Sequence, residues 1–228
     1  PFFDSITRGD YCRQEAGFDF RCVYLPRESA DPVTLSKFSY NSVPKCYSPI
    51  SMETLNRTGI LPMQNYPTLQ LKGSGVLIGF LDSGIDYTSE IFRNLDGSTR
   101  IAAIWDQTVQ SGQPPEGFAY GTEFTREEID AALSLDDPLT AVPSIDETGH
   151  GTYTASLAAG SADPAEQFLG AAPEATLAVV KLKPAKKYLR DFYFIPQNAV
   201  CYQETDLMLG LRYLNDLADR LGLPFVLC

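Results

Sequence analysis

The fold is decided by residues 76–86, which read Val-Leu-Ile-Gly-Phe-Leu-Asp-Ser-Gly-Ile-Asp. An unbroken apolar run that follows a glycine is typical of a strand buried on both faces of a parallel sheet. The run ends at Asp82, and Gly84 allows a sharp turn two residues later. In α/β folds, catalytic groups gather at the carboxyl ends of the strands. Asp82 is therefore a candidate catalytic residue, although Asp and Gly are also common in ordinary turns.

Strands and helices alternate after this segment. Further strands are predicted by apolar runs at 101–105, 175–181 and 225–228. A capping-box pattern from Thr125 to Glu128 predicts the start of a helix, a second helix is predicted after Gly149, and residues 207–221 have a helical apolar period. The alternation predicts an α/β fold of three layers around a mainly parallel sheet. Because the chain stops within a strand–helix repeat, we expect this sheet to be incomplete at its C-terminal end.

His150 is the only histidine of the sequence, and it lies in Gly149-His150-Gly151-Thr152. A lone histidine is often structural, but glycine on both sides allows backbone or substrate to approach the ring closely. The small residues that follow allow tight packing beneath a site. We therefore interpret His150 as a functional residue. Asp82, with Ser83 and backbone donors beside it, is expected to stay ionised and to hold a neighbouring imidazole.

The composition restricts the possible partners. The 228 residues carry a formal net charge of -11, which repels phosphate backbones and argues against nucleic acid. No apolar run approaches the roughly 20 residues that cross a bilayer, so no membrane partner is expected. Five cysteines without a CxxC pair, and a single histidine, argue against a disulfide scaffold and a zinc site. Cys22 and Cys228 lie in apolar runs and are predicted to be buried.

Three motifs together resemble the subtilase family, the subtilisin-like serine proteases. They are Asp82-Ser83-Gly84 after its apolar strand, Gly149-His150-Gly151-Thr152 at the start of a small-residue helix, and Gly170-Ala171-Ala172-Pro173-Glu174-Ala175 before the next strand. The resemblance covers about residues 50 to 228. The long segment between the first two motifs, and Val-Lys-Leu-Lys-Pro-Ala at 180–185, are more similar to the clostridial branch, which includes the spore germination proteases.

The resemblance implies a role for each candidate. Asp82 would accept the imidazole N–H of His150, and His150 would take the proton of a serine nucleophile. The family's Gly-Thr-Ser nucleophile motif is missing, and no serine follows Ser161. The chain is therefore expected to supply Asp and His, but not Ser, to a serine endopeptidase and to be inactive alone. Its implied partners are a peptide or protein substrate and the remainder of the catalytic domain, which carries the serine.

No cofactor and no metal are expected. Many subtilases bind calcium through an aspartate soon after the first motif, but here Ser89-Glu90-Ile91 stands at that place. Asp86 and Glu90 are therefore interpreted as solvated surface groups. The compartment stays open, and the resemblance implies secretion or association with spores.

The N-terminal segment has a different character. We interpret residues 1–49 as a prodomain-like segment and linker, and residues 50–228 as the N-terminal part of a subtilisin-like catalytic domain. Strand formers at 18–25 stop at Pro26, and prolines make the stretch from Tyr40 to Pro49 extended. Subtilases are made with a prodomain whose tail stays in the substrate cleft, and these features resemble its end. A passive extension is the alternative.

Two other functions stay open at this point. An aspartic protease could use Asp82-Ser83-Gly84, but it needs two carboxylates that share a proton, and the motif occurs once. That function would also leave His150 unexplained. A non-catalytic subtilase-like module for binding or regulation is compatible with the missing nucleophile, although the presence of both Asp82 and His150 argues against it.

Overall fold

The structure is a computed structural model, and it describes residues 11–17, 20–26, 34, 36, 38, 40–47, 72–161, 163 and 168–228. The strands are β1 (Cys12–Gly17), β2 (Phe20–Tyr24), β3 (Cys46–Tyr47), β4 (Leu77–Asp82), β5 (Ile101–Asp106), β6 (Thr122–Thr125), β7 (Thr176–Lys181), β8 (Tyr202–Gln203) and β9 (Phe225–Leu227). The α-helices are α1 (Arg126–Leu133), α2 (His150–Ala159), α3 (Lys187–Phe192) and α4 (Glu204–Leu221). Short 3-10 helices cover Tyr40–Ser42, Glu90–Phe92 and Pro138–Thr140.

The central sheet has the strand order β6-β5-β7-β4-β9. Strands β5, β7, β4 and β9 are parallel, whereas β6 pairs antiparallel with β5 at one edge. Each apolar run that predicted a strand lies in this sheet, as expected for strands covered on both faces. Strand β4 lies between β7 and β9, and its last residue, Asp82, stands opposite Lys181.

Apolar side chains cover both faces of the sheet. On one face, Phe80 and Val179 pack with residues of α1 and α2, and on the other, Trp105 and Val180 pack with residues of α4. Ile101 and Ile104 both pack on the face covered by α1 and α2, although residues three apart in a regular strand point to opposite faces. The reason is a register shift between β5 and β7 directly after Ile101. The predicted three-layer α/β fold with a mainly parallel sheet is therefore confirmed.

The helices begin and end where local sequence signals place them. The Thr125 hydroxyl accepts a hydrogen bond from the N–H of Glu128, and the Glu128 carboxylate accepts one from the N–H of Thr125, so the predicted capping box is present. Helix α4 ends at Gly222. Helix α2 buries Gly151, Ala155 and Ala159, and this small-residue face lets it lie close to the sheet. His150, its first residue, is thereby held near the sheet edge.

The N-terminal strands β1 and β2 pack against helix α4, on the face of the sheet opposite to α1 and α2. Strands β1 and β2 form an antiparallel hairpin, and Ala16 and Cys22 are buried against residues of α4. Strand β2 confirms part of the strand predicted at 18–25, of which residues 18 and 19 lie outside the described residues. Strand β1 was not predicted, because its sequence Cys-Arg-Gln-Glu-Ala-Gly has no apolar alternation.

The stretch from Tyr40 to Pro49 is extended only in part. It begins with a 3-10 turn at Tyr40–Ser42 and continues into β3, which pairs antiparallel with β8. Residues 48 and 49 lie outside the described residues. This pairing joins the N-terminal segment to the residues just before α4.

The cysteines are free thiols. The predicted burial is correct for Cys22 and wrong for Cys228, which is exposed because it follows β9 at the edge of the sheet. Burial and the neighbouring Cys201 raise the pKa of Cys46 to about 11, which makes this thiol a poor nucleophile. Within the described ranges, no helix is both long and apolar enough to cross a membrane.

Candidate active site

Asp82 and His150 meet at the carboxyl edge of the central sheet. Nδ1 of His150 lies 2.7 Å from Oδ1 and 2.9 Å from Oδ2 of Asp82. Because an ionised carboxylate can only accept hydrogen bonds, Nδ1 carries the proton and donates it. The His150 side chain is 25% exposed and that of Asp82 is 13% exposed, so the imidazole is the more accessible partner. The structure thus brings together the two residues that the sequence singled out, although 68 positions separate them.

The Asp82 carboxylate is oriented by the turn that follows β4. The N–H of Ser83 donates to Asp82 Oδ1 at 2.7 Å, in agreement with the expected backbone support. The Ser83 hydroxyl behaves differently, because it donates to Oδ1 of Asp146 at 2.7 Å and accepts the N–H of Gly151 at 3.0 Å. Ser83 therefore connects the strand that ends at Asp82 with the helix that begins at His150.

Sequence reasoning missed Asp146, which precedes α2. Burial by itself would raise the pKa of its carboxyl group, but hydrogen bonds from Thr152 and Ser83 more than offset burial and lower that pKa. Asp146 is therefore ionised at neutral pH. The signal for this residue was present, since aspartate and threonine just before a helix are typical of helix N-termini.

Lys181 is a buried cation beside the pair, and the sequence reasoning also missed it. Its ammonium donates to the carbonyl of Ile145 at 2.7 Å and to Glu147 Oε1 at 2.9 Å, and it lies 3.8 Å from Asp106 Oδ2. A buried lysine needs such partners, because an unpaired charge in the interior is costly. Lys181 therefore fixes the loop that contains Asp146 to the end of β7.

The pKa values of two further groups, Tyr202 and Cys228, are raised by burial and by the negative charge of the site. Burial, followed by the negative charges of Asp82 and Asp146, raises the pKa of Tyr202 to about 12, so this phenol is neutral at physiological pH. Burial of its sulfur and the charge of Asp82 also raise the pKa of the Cys228 thiol, although the residue as a whole is exposed. A thiolate nucleophile at Cys228 is therefore disfavoured.

The hydroxyls of Ser83 and of three serines between residues 144 and 161 are engaged in hydrogen bonds. Ser144 donates to Asp106, Ser156 to the carbonyl of Tyr153, and Ser161 to the carbonyl of Arg93. Ser83 is 4% exposed and bonded to Asp146, as described above. None of these four serines is presented as a nucleophile.

Among the residues that the structure describes, the acidic side chains near the site do not form a metal-binding cluster. Asp86 and Glu90 are exposed, and Asp86 accepts hydrogen bonds from the N–H and the hydroxyl of Thr88. In the part of the chain that the structure describes, no group of three or more His, Cys, Asp or Glu residues could hold a metal ion.

Comparison with known proteins identifies the class to which this fold and site belong. A sequence model of the subtilase family matches residues 73–192, more than half of the chain and the part that contains both Asp82 and His150. The chain therefore belongs to the subtilase family, a family of serine proteases, and its α/β fold is the subtilisin-like fold.

A similar solved structure indicates which branch of the family the chain resembles. The chain is similar to the CspB protease of Clostridium perfringens, with 31% sequence identity and a TM-score of 0.59. The match covers 74% of this chain and 31% of that protease, so the chain spans about a third of the length of its solved relative. The clostridial branch suggested by the sequence is consistent with this similarity. Comparison with curated protein sequences gives no match.

Proposed function

We propose that this chain supplies the aspartate and the histidine of a subtilisin-type serine endopeptidase. The observation that carries the proposal is the hydrogen bond from His150 Nδ1 to Asp82 at the carboxyl edge of the sheet. With the Nδ1 proton held by Asp82, the other ring nitrogen is the basic one and can accept a proton. Membership of the subtilase family supports the same reading.

The chemistry follows from this arrangement. His150 removes the hydroxyl proton of a serine while that oxygen attacks the peptide carbonyl, and it later gives the proton to the leaving amine. Asp82 holds the imidazole in the required tautomer and stabilises the imidazolium that forms. The serine and the groups that stabilise the oxyanion come from the remainder of the catalytic domain. The substrate is a peptide or protein.

The aspartic-protease alternative has lost its support. In that mechanism two carboxylates share a proton, whereas Asp82 is bonded to an imidazole. Family membership points to serine chemistry as well. The non-catalytic alternative predicts no peptide hydrolysis, and the following experiment separates it from the enzyme.

A polypeptide in which this chain is continued by the serine-bearing part should hydrolyse peptides. We expect a serine-directed phosphonylating reagent to abolish the activity and an aspartic-protease inhibitor to leave it unchanged, because serine is the proposed nucleophile. This chain alone should show no turnover in the same assay. Hydrolysis by the isolated chain, or insensitivity of the longer polypeptide to the serine reagent, contradicts the proposal.

We also propose that residues 1–49 derive from a prodomain whose extended end lies beside the active site. Strand β3 adds to β8 by antiparallel pairing, with Tyr47 opposite Tyr202, and the N–H of Lys45 donates to Glu204 Oε2 at 2.9 Å. Burial, and after it the charges of Asp82 and Asp146, raise the pKa of Tyr202 to about 12. Proteins commonly bind extended peptides by adding them as a strand to an exposed edge.

The segment around β3 should contain a processing site. We expect mass spectrometry of the natural product to find a free amino terminus between about Tyr40 and Met52. The terminus should not be Pro44 or Pro49, because a peptide bond that precedes proline resists cleavage. The matched control is the His150→Ala variant, which should retain the uncut junction if the cleavage is autocatalytic. An uncut junction in a fully active enzyme would reduce the segment to a passive extension.

A further inference from the structure

The Asp146 carboxylate accepts hydrogen bonds from residues before and within the first turn of helix α2. Its Oδ2 accepts from the N–H of Thr152 at 2.8 Å and from the Thr152 hydroxyl at 2.7 Å. Its Oδ1 accepts from the N–H of Gly149 at 3.0 Å and from the N–H of Thr148 at 3.3 Å. These donors flank His150 on both sides in the sequence. The carboxylate therefore fixes the backbone from which the imidazole projects, as a capping group fixes the first turn of a helix.

The same carboxylate is tied to the strand that carries Asp82. The Ser83 hydroxyl donates to Asp146 Oδ1 at 2.7 Å and accepts the N–H of Gly151 at 3.0 Å. Ser83 is the residue directly after Asp82, and Gly151 is the residue directly after His150. Asp146 and Ser83 thus connect the two backbones at the positions next to the two proposed catalytic side chains.

The loop of Asp146 is itself anchored to the neighbouring strand. Lys181, which stands opposite Asp82 in the sheet, donates to the carbonyl of Ile145 and to the carboxylate of Glu147. The residues on both sides of Asp146 are therefore fixed to the end of β7, while Asp146 itself binds the turn after β4. Its carboxylate has a defined place relative to both strand ends.

We propose that Asp146 is a positioning residue, which sets the imidazole of His150 against the carboxylate of Asp82. It acts through the backbone of α2 and through Ser83, and it needs no contact with substrate. As far as catalysis is concerned, this inference rests on the proposed function, since His150 matters as a base only if the chain is part of a protease. The positioning itself can be measured without turnover.

The single histidine of the chain makes the measurement specific. In a chain labelled with ¹⁵N-histidine, one imidazole contributes to the NMR spectrum. We expect a low-field proton on Nδ1 and ring nitrogen shifts of the Nδ1–H tautomer, because Asp82 accepts that proton. Asp146→Ala should remove the low-field signal and move the nitrogen shifts toward the average of the two tautomers. Asp146→Asn should give a smaller change, since its amide oxygen can still accept some of the bonds.

A matched control separates positioning from general loss of a turn. Asp96 accepts hydrogen bonds from the N–H of Ser98 at 3.0 Å and from the Ser98 hydroxyl at 2.6 Å, in an exposed turn of the same kind. Asp96→Ala should leave the His150 signals unchanged, whereas Asp82→Ala should abolish the low-field proton. If the Asp146→Ala chain does not fold, Asp146→Asn decides the question. A folded Asp146 variant with the wild-type histidine spectrum overturns the proposal.

Kinetics in the serine-bearing polypeptide provides a second readout. Misplacement of a catalytic group by about 1 Å can cost about a hundredfold in rate, so we expect Asp146→Asn to lower kcat about tenfold to a hundredfold and to change KM less than about twofold. A rise in KM with unchanged kcat would contradict positioning. If the polypeptide has no peptidase activity but the Asp146 variants still alter the histidine spectrum, the proposed function fails and the positioning role stands.

Discussion

His150→Ala should lower kcat by about six orders of magnitude in the serine-bearing polypeptide, the size of effect found when the histidine of such a triad is removed. The reason is that a serine hydroxyl is a weak nucleophile until a base takes its proton. Within this chain no other histidine can substitute, because its sequence contains only this one. The measurement is kcat for a chromogenic peptide, with KM determined in parallel and expected to change little.

Variants of the partner residue and of a neighbour make this test specific. Asp82→Asn should lower kcat about ten-thousandfold, because an amide no longer holds the required tautomer. The double variant should resemble His150→Ala alone, since residues that act as one unit are not additive. Tyr153→Ala, which changes an exposed residue of the same helix, should keep kcat within a few-fold of the wild type. Turnover that survives His150→Ala within about tenfold removes the catalytic assignment.

The elements that carry the site could be predicted because their signals are local. The apolar run before Asp82 predicts a strand buried on both faces, and the structure covers β4 with α2 on one side and α4 on the other. The small residues after His150 predict a helix that packs closely, and α2 buries Gly151 and Ala155. In a parallel α/β fold, the carboxyl end of a strand and the start of a helix packed on the sheet can lie at the same edge, where Asp82 and His150 meet.

The features that could not be predicted depend on contacts between distant parts of the chain. Strand β1 has a polar sequence and is recognisable only through its pairing with β2 and its packing on α4. The pairing of β3 with β8 joins residues more than 150 positions apart. Asp146 looks like an ordinary residue before a helix, and its link to the Asp82 strand arises only when Ser83 is brought beside it.

Substitution of the two glycines beside His150 should destabilise the chain to different extents, and the effect at Gly151 should be the larger. A Cβ atom on Gly151 would lie 2.1 Å from the carbonyl oxygen of Gly84 and 3.1 Å from Cβ of Asp82. The first of these contacts is with backbone, so no side-chain rotation can relieve it. Gly149 has φ 73°, which disfavours a side chain, but a Cβ there would meet nothing within 4 Å.

Gly151→Ala should therefore destabilise the chain by about 3 kcal/mol or more, the upper end of the cost of overpacking. Helix propensity alone predicts the opposite sign, since alanine within a helix is favoured over glycine by about 1 kcal/mol. The steric effect should prevail because it forces the start of α2 away from the turn after β4. Gly149→Ala should cost only about 1 kcal/mol, the penalty of a left-handed conformation. Urea denaturation of the two variants measures both free energies of unfolding.

The displacement should also be visible at the site. Gly151 is next to His150, and its N–H bonds to Ser83, so a shift of this residue lengthens the distance between His150 Nδ1 and the Asp82 carboxylate. We expect Gly151→Ala to abolish the low-field Nδ1 proton of His150 in the fraction of the chain that remains folded, and Gly149→Ala to weaken it only slightly. If Gly151→Ala is as stable as the wild type and keeps this proton, the close contact between α2 and the turn after Asp82 has no part in holding Asp82 and His150 together.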